Sequence, residues 1–348
     1  MATIKDVAKR AGVSVSTASV ALSGRGPVSE ATRRRVLEAA RALDYRPNAL
    51  AQSLVTRRTR TIGLVLGDIT DPYFHEITKG VEGVLSSAGY ALILADTDRS
   101  ADKERRSLEI FDSQRVAGVI LAGSGTEDDE AESETPSLIR RAGSPPVVTI
   151  GRHRLGIPFV AVDNVQAAAQ AVTHLVETGA RRIAFVAGPR GLLAAEERLQ
   201  GYLSAMAGHG LQPDPRWITG GDFTPQGGYH AVATLLERCA AGTCSYPDAI
   251  LAANDQMAVG ALRSLKERGI DVPGRMALAG IGGIPTGEYV EPPLTTVVLP
   301  MKAMGEAAAG MLLDIIEGKR DVEQSLWLPT RLLVRGSTRT KATSQGPA

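Results

Sequence analysis

Residues 2–24 read ATIKDVAKRAGVSVSTASVALSG and contain two short helical patterns separated by a glycine. The first pattern places four apolar side chains on one helical face, those of Ile4, Val7, Ala8 and Ala11. Gly12 interrupts this pattern, and Ser14 is a suitable N-cap for a second helix that ends near residue 22. Two helices joined by a tight turn that contains glycine predict a helix-turn-helix motif.

The second predicted helix has two chemically different faces. Its inner face consists of Ala18, Ala21 and Leu22, and its outer face consists of Val15, Ser16, Ser19 and Val20. The residues that end this helix are Gly24, Gly26 and Pro27. Ser29 is a suitable N-cap for a third helix over residues 30–43. This pattern leaves two interpretations open, a motif that reads the DNA major groove and a module that binds another protein.

Formal charge is divided unevenly along the chain. The first 60 of the 348 residues contain twelve Lys and Arg against four Asp and Glu, a net charge of +8, whereas the remainder carries −7. A basic segment joined to an acidic one indicates a polyanionic partner for the basic segment alone. The charge therefore favours DNA as the partner of the three predicted helices.

Downstream of residue 60 the pattern changes to apolar strands that alternate with amphipathic helices. Strands are predicted at residues 62–66, 91–94, 118–121, 147–150, 182–186, 250–252 and 277–279. The alternation predicts a parallel α/β architecture in two successive blocks, joined near residues 160–163 and crossed again near residues 294–299. Ligands of such sheets bind beyond the carboxyl ends of the strands, so the loops there are where binding residues are expected.

Long stretches of the chain resemble the lactose-repressor/galactose-repressor (LacI/GalR) family of transcriptional regulators. Besides residues 2–24, the matching stretches are VSEATRRRVLEAARALDYRPNALAQSL (28–54), RTIGLVLGDITDPYF (60–74), VDNVQAAAQAVTHL (162–175), RRIAFVAGP (181–189), ERLQGY (197–202), ANDQMAVGALRSL (253–265), PPLTTV (292–297) and LPTRLLVRGST (328–338). The resemblance implies an all-α helix-turn-helix DNA-binding head and an α/β, two-lobed body of the periplasmic-binding-protein type. It also implies a sequence-specific repressor whose operator affinity is modulated by a small-molecule effector, such as a sugar, bound between the lobes.

Within the head, the resemblance assigns two kinds of DNA contact. Base edges are assigned to Val15, Ser16 and Val20, phosphates to Thr3, Ser14, Thr17 and Ser19, and further DNA contacts to Arg33 and Asn48. Val20 departs from the commonest family pattern, which has arginine there. Arginine can form two hydrogen bonds with guanine, whereas valine offers only apolar contact, most favourably to a thymine methyl group. We therefore predict an operator that differs from the common family operator.

Residues 47–56 resemble the hinge of the family, which becomes helical when two subunits meet on DNA. In the family, the leucine that matches Leu54 inserts between base steps of the minor groove and bends the duplex, with the match of Ala51 beside it. On the sequence alone, Leu50 and Leu54 also fit the buried stripe of an ordinary helix.

Seven residues of the body match effector-pocket positions of the family: Asp71, Tyr73, Phe74, Arg198, Phe223, Asn254 and Gln256. Family members use the arginine that matches Arg198 to hydrogen-bond hydroxyls or carboxylates of the effector. A second interpretation remains for two of the seven, since Asn254 is also a suitable cap for the following helix and Phe223 also fits a core position.

Acidic residues that many family members place in the pocket are absent. The segment GIGGIPTG (280–287) has Gly282 and Gly283 where aspartates are common, and Gly151 stands where some sugar-binding members have an acid. Either the effector is not a typical hexose, or the cleft has lost part of its sensing function. The spacing of these glycines does not match a dinucleotide-binding loop.

Other classes of function find little support. No Ser-His-Asp set, phosphate loop or supported pair of carboxylates predicts an enzyme. Cys239 and Cys244, the acidic run 127–134, and the isolated His153 and His174 lack the spacing of a metal site, so we expect reduced thiols, no metal and no cofactor. The N-terminus lacks the apolar stretch of a signal peptide and no apolar run is long enough to span a membrane, so we expect a cytoplasmic protein.

A single helix-turn-helix recognises half of a palindromic site, so we expect a homodimer on double-stranded DNA. The expected domains are the helix-turn-helix head (1–46), a hinge helix and linker (47–60), the effector-binding and dimerisation body (61–340) and a polar tail (341–348). The expected lobes of the body are residues 61–161 together with 294–340, and residues 162–293. The alternative is a cytoplasmic solute-binding protein with an N-terminal adaptor.

Overall fold

The computed structural model describes residues 2–23, 26–45, 59–123, 135–141, 143–153, 156–319 and 324–339. The chain divides into two compact units, residues 1–60 and residues 61–348. The predicted hinge (47–56) and the acidic run 127–134 lie outside the described residues.

The described part of the N-terminal unit consists of three helices: α1 (Ile4–Ala11), α2 (Val15–Ser23) and α3 (Glu30–Ala42). Both predicted caps are present, because Ser14 Oγ accepts the Thr17 backbone N–H at 3.0 Å and Ser29 Oγ accepts the Thr32 N–H at 3.3 Å. Gly12, with a φ of 65°, ends α1 in the left-handed conformation that glycine favours. The predicted bounds of all three helices are confirmed to within one residue.

A small apolar core holds these helices together. Its buried members are Val7, Ala8 and Ala11 of α1, Ala18 and Ala21 of α2, and Val36, Ala39 and Ala40 of α3. The outer face of α2 remains accessible, with 43% of Val15 exposed. Packing of the inner face, rather than helix propensity, therefore holds α2 in place, since a helix of nine residues is marginal on its own.

Twelve strands lie in the described part of the second unit: β1 (Thr61–Leu66), β2 (Ala91–Asp96), β3 (Gly118–Ala122), β4 (Val147–Ile150), β5 (Phe159–Val162), β6 (Ile183–Ala187), β7 (Ile218–Gly220), β8 (Ala249–Ala252), β9 (Ala277–Gly282), β10 (Thr295–Val298), β11 (Ser325–Leu328) and β12 (Arg331–Leu333). The α-helices are α4 (Pro72–Ser87), α5 (Ala101–Ser113), α6 (Thr135–Arg140), α7 (Asn164–Glu177), α8 (Leu193–Gly208), α9 (Pro225–Ala240), α10 (Asp255–Glu267), α11 (Thr286–Tyr289) and α12 (Met301–Ile316), with a 3-10 turn at Pro215–Trp217. All seven predicted strands are present, with ends that differ by up to three residues.

The strands form two six-stranded sheets, in the orders β11-β5-β4-β3-β1-β2 and β12-β10-β9-β8-β6-β7. Every pairing is parallel except that of β10 with β12. The strand order reverses between β1 and β3 in the first sheet and between β6 and β8 in the second. Ligands of open parallel sheets bind in the crevice at such a reversal.

Each sheet belongs to one lobe, and the chain passes between the lobes three times within the described residues. We call residues 61–162 and 300–328 the first lobe, and residues 163–299 and 329–339 the second lobe. The expectation that 294–340 accompanies the first lobe is wrong for β10 and β12, which pair in the second sheet. Strands of three or four residues carry too little periodicity to reveal their sheet, and hydrophobic pattern does not encode long-range pairing.

Helix α12 returns to the first lobe and packs closely against α4. A Cβ atom at Gly80 would collide with the backbone carbonyl oxygen of Lys302, and one at Gly305 with that of Ile77. The two helices therefore approach each other at a distance that only glycine permits at these positions.

Candidate functional site

The outer face of α2 is the candidate DNA-binding surface. The predicted DNA contacts that the structure describes are Thr3, Ser14, Val15, Ser16, Thr17, Ser19, Val20 and Arg33, and none of them is buried. Ser14 Oγ lies 2.8 Å from both Ser16 Oγ and Thr17 Oγ1, so three hydroxyls cluster at the start of the helix. At the start of α1, Thr3 Oγ1 donates a hydrogen bond to Asp6 Oδ2 at 2.8 Å. Asn48, Ala51 and Leu54 lie outside the described residues.

All seven predicted effector residues line one cavity between the two lobes. Asp71, Tyr73 and Phe74 follow β1, Arg198 lies on α8 after β6, Phe223 follows β7, and Asn254 and Gln256 follow β8. Their loops meet at the strand-order reversals of the two sheets, where parallel sheets bind ligands. Sequence reasoning missed five polar or charged residues of the same wall: Arg99, Arg152, Asn164, Glu197 and Asp255.

Arg198 is the most deeply buried base of this cavity, with 7% of its surface exposed. Its Nε donates to Asn164 Oδ1 at 3.0 Å and its Nη1 to the Ala253 carbonyl at 2.6 Å. Burial lowers the pKa of the Arg198 guanidinium, because water stabilises its charged form better than the cavity wall does. These two contacts fix the orientation of the guanidinium in the wall.

Aromatic rings form part of the wall on both lobes. Tyr73 and Phe74 pack edge to face with ring centroids 5.0 Å apart, and burial raises the pKa of the Tyr73 hydroxyl to about 12. The guanidinium groups of Arg99 and Arg198 both lie over the Phe223 ring, at 5.7 and 5.8 Å from its centroid. Phe223 has a φ of 67°, a conformation unusual for a non-glycine residue. Phe223 lines the cleft and also packs against the hydrophobic core.

Two of the predicted polar residues cap helices. Asn254 Oδ1 accepts the Met257 backbone N–H at 2.9 Å, and its Nδ2 donates to the Phe223 carbonyl at 3.0 Å. The capping interpretation of Asn254 is therefore confirmed, while the residue also lines the cavity. Asp71 caps α4 in the same way, with its Oδ1 accepting the Tyr73 N–H at 3.0 Å.

Asp255 explains the conformation of the glycine loop after β9. Its buried carboxylate accepts the backbone N–H groups of Gly283 at 2.6 Å and Ile284 at 3.0 Å, and the Thr296 hydroxyl at 2.6 Å. Burial raises the pKa of Asp255 despite these hydrogen bonds. Gly282 thus lines the cavity without an acidic side chain, and the nearest acid is fully engaged with the loop. The ANDQM motif located Asp255 in the sequence, but only the fold reveals its partners.

Two arginines of the first lobe contact the second lobe across the cavity. Arg99 Nη1 donates to the Asp222 carbonyl at 3.2 Å, and Arg152 Nη2 lies 2.8 Å from Glu197 Oε1. Arg99 also lies 3.5 Å from the carboxylate of Asp71 in its own lobe. These contacts join the two lobes, which are therefore in a closed arrangement.

One histidine and both cysteines considered as possible metal ligands are buried within the protein. His174 is buried and bonds Thr338 Oγ1 at 2.8 Å, and Cys239 and Cys244 are free, buried thiols. Among the described residues, no three His, Cys, Asp or Glu side chains converge as metal ligands would. In the same part of the chain, no helix has the length and apolar character needed to cross a membrane.

Two family models match the chain. Residues 3–48 match the model of bacterial regulatory proteins of the lacI family, and residues 172–338 match a periplasmic binding protein-like domain. The curated relatives include the transcriptional repressor CytR of Escherichia coli K12, 35% identical over 97% of this chain and 96% of the relative. The transcriptional regulator CelR of Thermobifida fusca is 37% identical over 96% of this chain and 98% of the relative. These relatives are named as regulators of transcription and not as enzymes.

Solved structures of similar proteins have the same architecture. A lac repressor dimer bound to operator and the anti-inducer ONPF matches with a TM-score of 0.84 and 25% identity, covering 97% of this chain and 99% of that one. A complex of CelR with cellobiose matches with a TM-score of 0.72 and 34% identity, covering 97% and 100%. The helix-turn-helix unit and the two-lobed α/β body predicted from the sequence are thereby confirmed.

Proposed function

This chain belongs to the lacI family of bacterial regulatory proteins, and we propose that it is a transcriptional repressor whose N-terminal unit binds operator DNA and whose cleft binds a small-molecule effector. It acts as a homodimer, since one outer face of α2 covers half of a two-fold site. Its target places it in the cytoplasm. The cleft binds and releases its ligand unchanged, without catalysis. A solute-binding protein with an adaptor is not favoured, because the relatives that span the whole chain are regulators of transcription.

The observation that carries this proposal is the outer face of α2. Its valines and hydroxyls remain accessible on a helix whose other face is buried, within a segment of net charge +8. Val15, Ser16 and Val20 are proposed to contact base edges, and Thr3, Ser14, Thr17, Ser19 and Arg33 to contact phosphates. Asn48, Ala51 and Leu54 are proposed to extend the contacts along the DNA. Small hydroxyl side chains allow the helix backbone to approach the groove closely.

The second lobe and the first lobe are proposed to close on the effector between them. Contacts such as Arg152 with Glu197 require the lobes to be close together. A ligand that binds both walls stabilises the closed arrangement by its difference in affinity for the closed and open states. The ligand then changes the affinity for operator DNA. By thermodynamic linkage, DNA changes the affinity for the ligand by the same coupling free energy.

The exposed apolar residues at one edge of the first sheet also favour a dimer. Strand β2 lies at that edge and exposes Ile93 (39%) and Leu94 (42%). Exposed apolar residues on an unpaired edge strand favour association unless another surface covers them. We propose that a second copy of this chain covers this edge.

The proposal is tested by binding the full-length protein to the DNA upstream of its own gene, at several salt concentrations. Two N-terminal units that neutralise about six phosphates would give a slope near −5 in log K against log salt. Ser16→Glu places a negative charge on the outer face of α2 and is expected to abolish specific binding. Thr234→Glu adds the same charge on an exposed position of α9 and serves as the control. Equal affinity for upstream and unrelated DNA, or unchanged binding by Ser16→Glu, contradicts the proposal.

A further inference from the structure

The two cysteines of the chain meet in the core of the second lobe. Cys239 lies on the last turn of α9, and Cys244 lies in the loop that leads to β8. Their Sγ atoms are 3.0 Å apart, and only 5% and 7% of the two residues are exposed. A disulfide has an S–S distance of about 2.05 Å, so a shift of roughly 1 Å brings these sulfurs to bonding distance.

The way in which α9 ends explains why the two sulfurs meet. Gly242 has a φ of 73°, in the left-handed region, and its N–H donates to the Cys239 carbonyl at 3.0 Å. The Thr243 N–H donates to the Arg238 carbonyl, also at 3.0 Å. These two hydrogen bonds form the glycine-containing turn with which many helices end, and this turn reverses the chain. The sequence CAAGTC (239–244) therefore returns the second cysteine to the side of the first.

Two side chains of the 3-10 turn before β7 hold the loop that carries Cys244. The Trp217 indole N–H donates to the Ser245 carbonyl at 2.9 Å, and the Arg216 guanidinium donates to the Thr243 carbonyl. The residues on both sides of the second cysteine are therefore held in place. The two sulfurs can bond without a rearrangement of the fold.

From this geometry we propose that Cys239 and Cys244 form a redox modification site, at which a low-molecular-weight disulfide such as glutathione disulfide converts the two thiols into an intramolecular disulfide. One thiolate of the pair attacks the glutathione disulfide and releases one glutathione. The second protein thiol then displaces the other glutathione. Both protein sulfurs are oxidised, the glutathione disulfide is reduced to two thiols, and the two protons of the pair end on these thiols.

Burial makes this exchange slow and leaves its end point favourable. Burial raises the pKa of the Cys239 thiol, so the reactive thiolate is scarce. Strongly oxidising cysteine pairs owe that property to a stabilised reduced form, usually a stabilised thiolate. The surroundings of Cys239 provide no such stabilisation, so we expect slow formation of a stable disulfide.

The modification site lies at the end of the second sheet opposite the cleft. The loop before β8 and the 3-10 turn before β7 are at the amino ends of their strands, whereas the cavity residues of this lobe follow the carboxyl ends. Strands β6, β7 and β8 are parallel, so these ends lie on opposite edges of the sheet. The site is therefore separate from the cleft and independent of the proposed function.

Redox equilibration of the full-length protein tests the proposal. Native protein and protein unfolded in guanidinium chloride are held in mixtures of reduced and oxidised glutathione until the disulfide fraction is constant, and are then quenched with acid. Intact mass and peptide mapping measure the fraction with a bond between Cys239 and Cys244. We expect the native chain to form this bond at least about ten-fold more favourably than the unfolded chain, because the fold already holds the sulfurs together.

Two glycine substitutions test the part that the turn plays. Alanine at Gly242 strains a left-handed position, and this strain relaxes more easily in the dithiol than in the cross-linked loop. Gly242→Ala should therefore reduce the preference of the native chain for the disulfide. Gly210, with a φ of 70°, occupies the matching position after α8, so Gly210→Ala introduces the same strain away from the thiols and should retain the preference.

Two results of the equilibration would overturn the proposal. One is a native chain that forms the internal disulfide no more favourably than the unfolded chain does. The other is a native chain in which the cysteines of two different copies become linked in place of the internal pair. A native preference that Gly242→Ala leaves unchanged would overturn the part assigned to the turn.

Discussion

Val20 lies on the outer face of α2, where we propose that it contacts a base edge. An aliphatic side chain at a base edge distinguishes a thymine methyl group from the polar edges of other bases. We therefore expect specificity at that base step to rest on apolar contact in this chain.

Replacing Val20 with arginine should shift the preferred half-site toward a G·C pair at the contacted step. A bidentate hydrogen bond to guanine contributes about 1–3 kcal/mol of discrimination. Selection of binding sites from a random DNA pool measures the change. Leu37→Arg adds the same charge at an exposed position of α3 and should leave the preferred sequence unchanged. Selection of identical sites by wild type and Val20→Arg would refute the assigned contact.

Cys239 illustrates how burial sets the reactivity of a residue. Its thiol lies in the core of the second lobe, and burial, as the largest cause, raises its pKa to about 12. Because the thiolate is the reactive form, the native thiol should not react with Ellman's reagent at pH 8, whereas the denatured chain should expose two reactive thiols. Rapid reaction of Cys239 in the native protein at pH 8 would contradict this pKa.

Helices α4 and α12 show how small residues set the geometry of an element. Alanine at Gly80 would press its Cβ atom against the Lys302 carbonyl, so Gly80→Ala should lower the free energy of unfolding by about 1–3 kcal/mol. Gly83, on the same helix, has no neighbouring atom within 4 Å of a Cβ. Gly83→Ala should therefore raise stability by about 0.5–1 kcal/mol through helix propensity. Denaturant unfolding measures both changes, and equal effects of the two substitutions would argue against the close crossing.

Local pattern predicted the elements far better than it predicted their assembly. Helices α1 to α3 and the longer strands were predictable because each carries its own caps or apolar run. The strands β5, β7, β10, β11 and β12 were missed. Three or four residues rarely establish a period, and among the described strands of that length only β4 and β8 were predicted. The seven pocket residues came from family resemblance. Arg99 and its partner Asp222 were not predictable, because they are 123 residues apart and only the fold brings them together.

Assembly into a dimer has consequences that a single exposed side chain can test. Leu94 is 42% exposed on edge strand β2. Leu94→Lys places a charge on this edge and should weaken self-association, giving a larger monomer fraction in sedimentation velocity. Lysine at Leu203, which is 39% exposed on α8 of the second lobe, is the comparison away from this edge. If Leu94→Lys sediments as wild type does, the first-lobe edge does not take part in the dimer.

The molecule as a whole combines a basic unit with an accessible helix face and an acidic body with a ligand cleft. Neither unit alone accounts for DNA binding that responds to an effector. The coupling between them requires the cleft to have open and closed states that differ in affinity for the effector, and Arg99 and Arg152 contribute to the closed state.

The most direct test of DNA recognition by the outer face of α2 is enrichment of genomic fragments by the purified full-length protein, followed by sequencing, with wild type and Ser16→Glu in parallel. We expect wild type to enrich a small set of sites with approximate two-fold symmetry, and Ser16→Glu to enrich none of them. Fragments retained by wild type without a shared sequence, or the same sites retained by Ser16→Glu, would contradict the account.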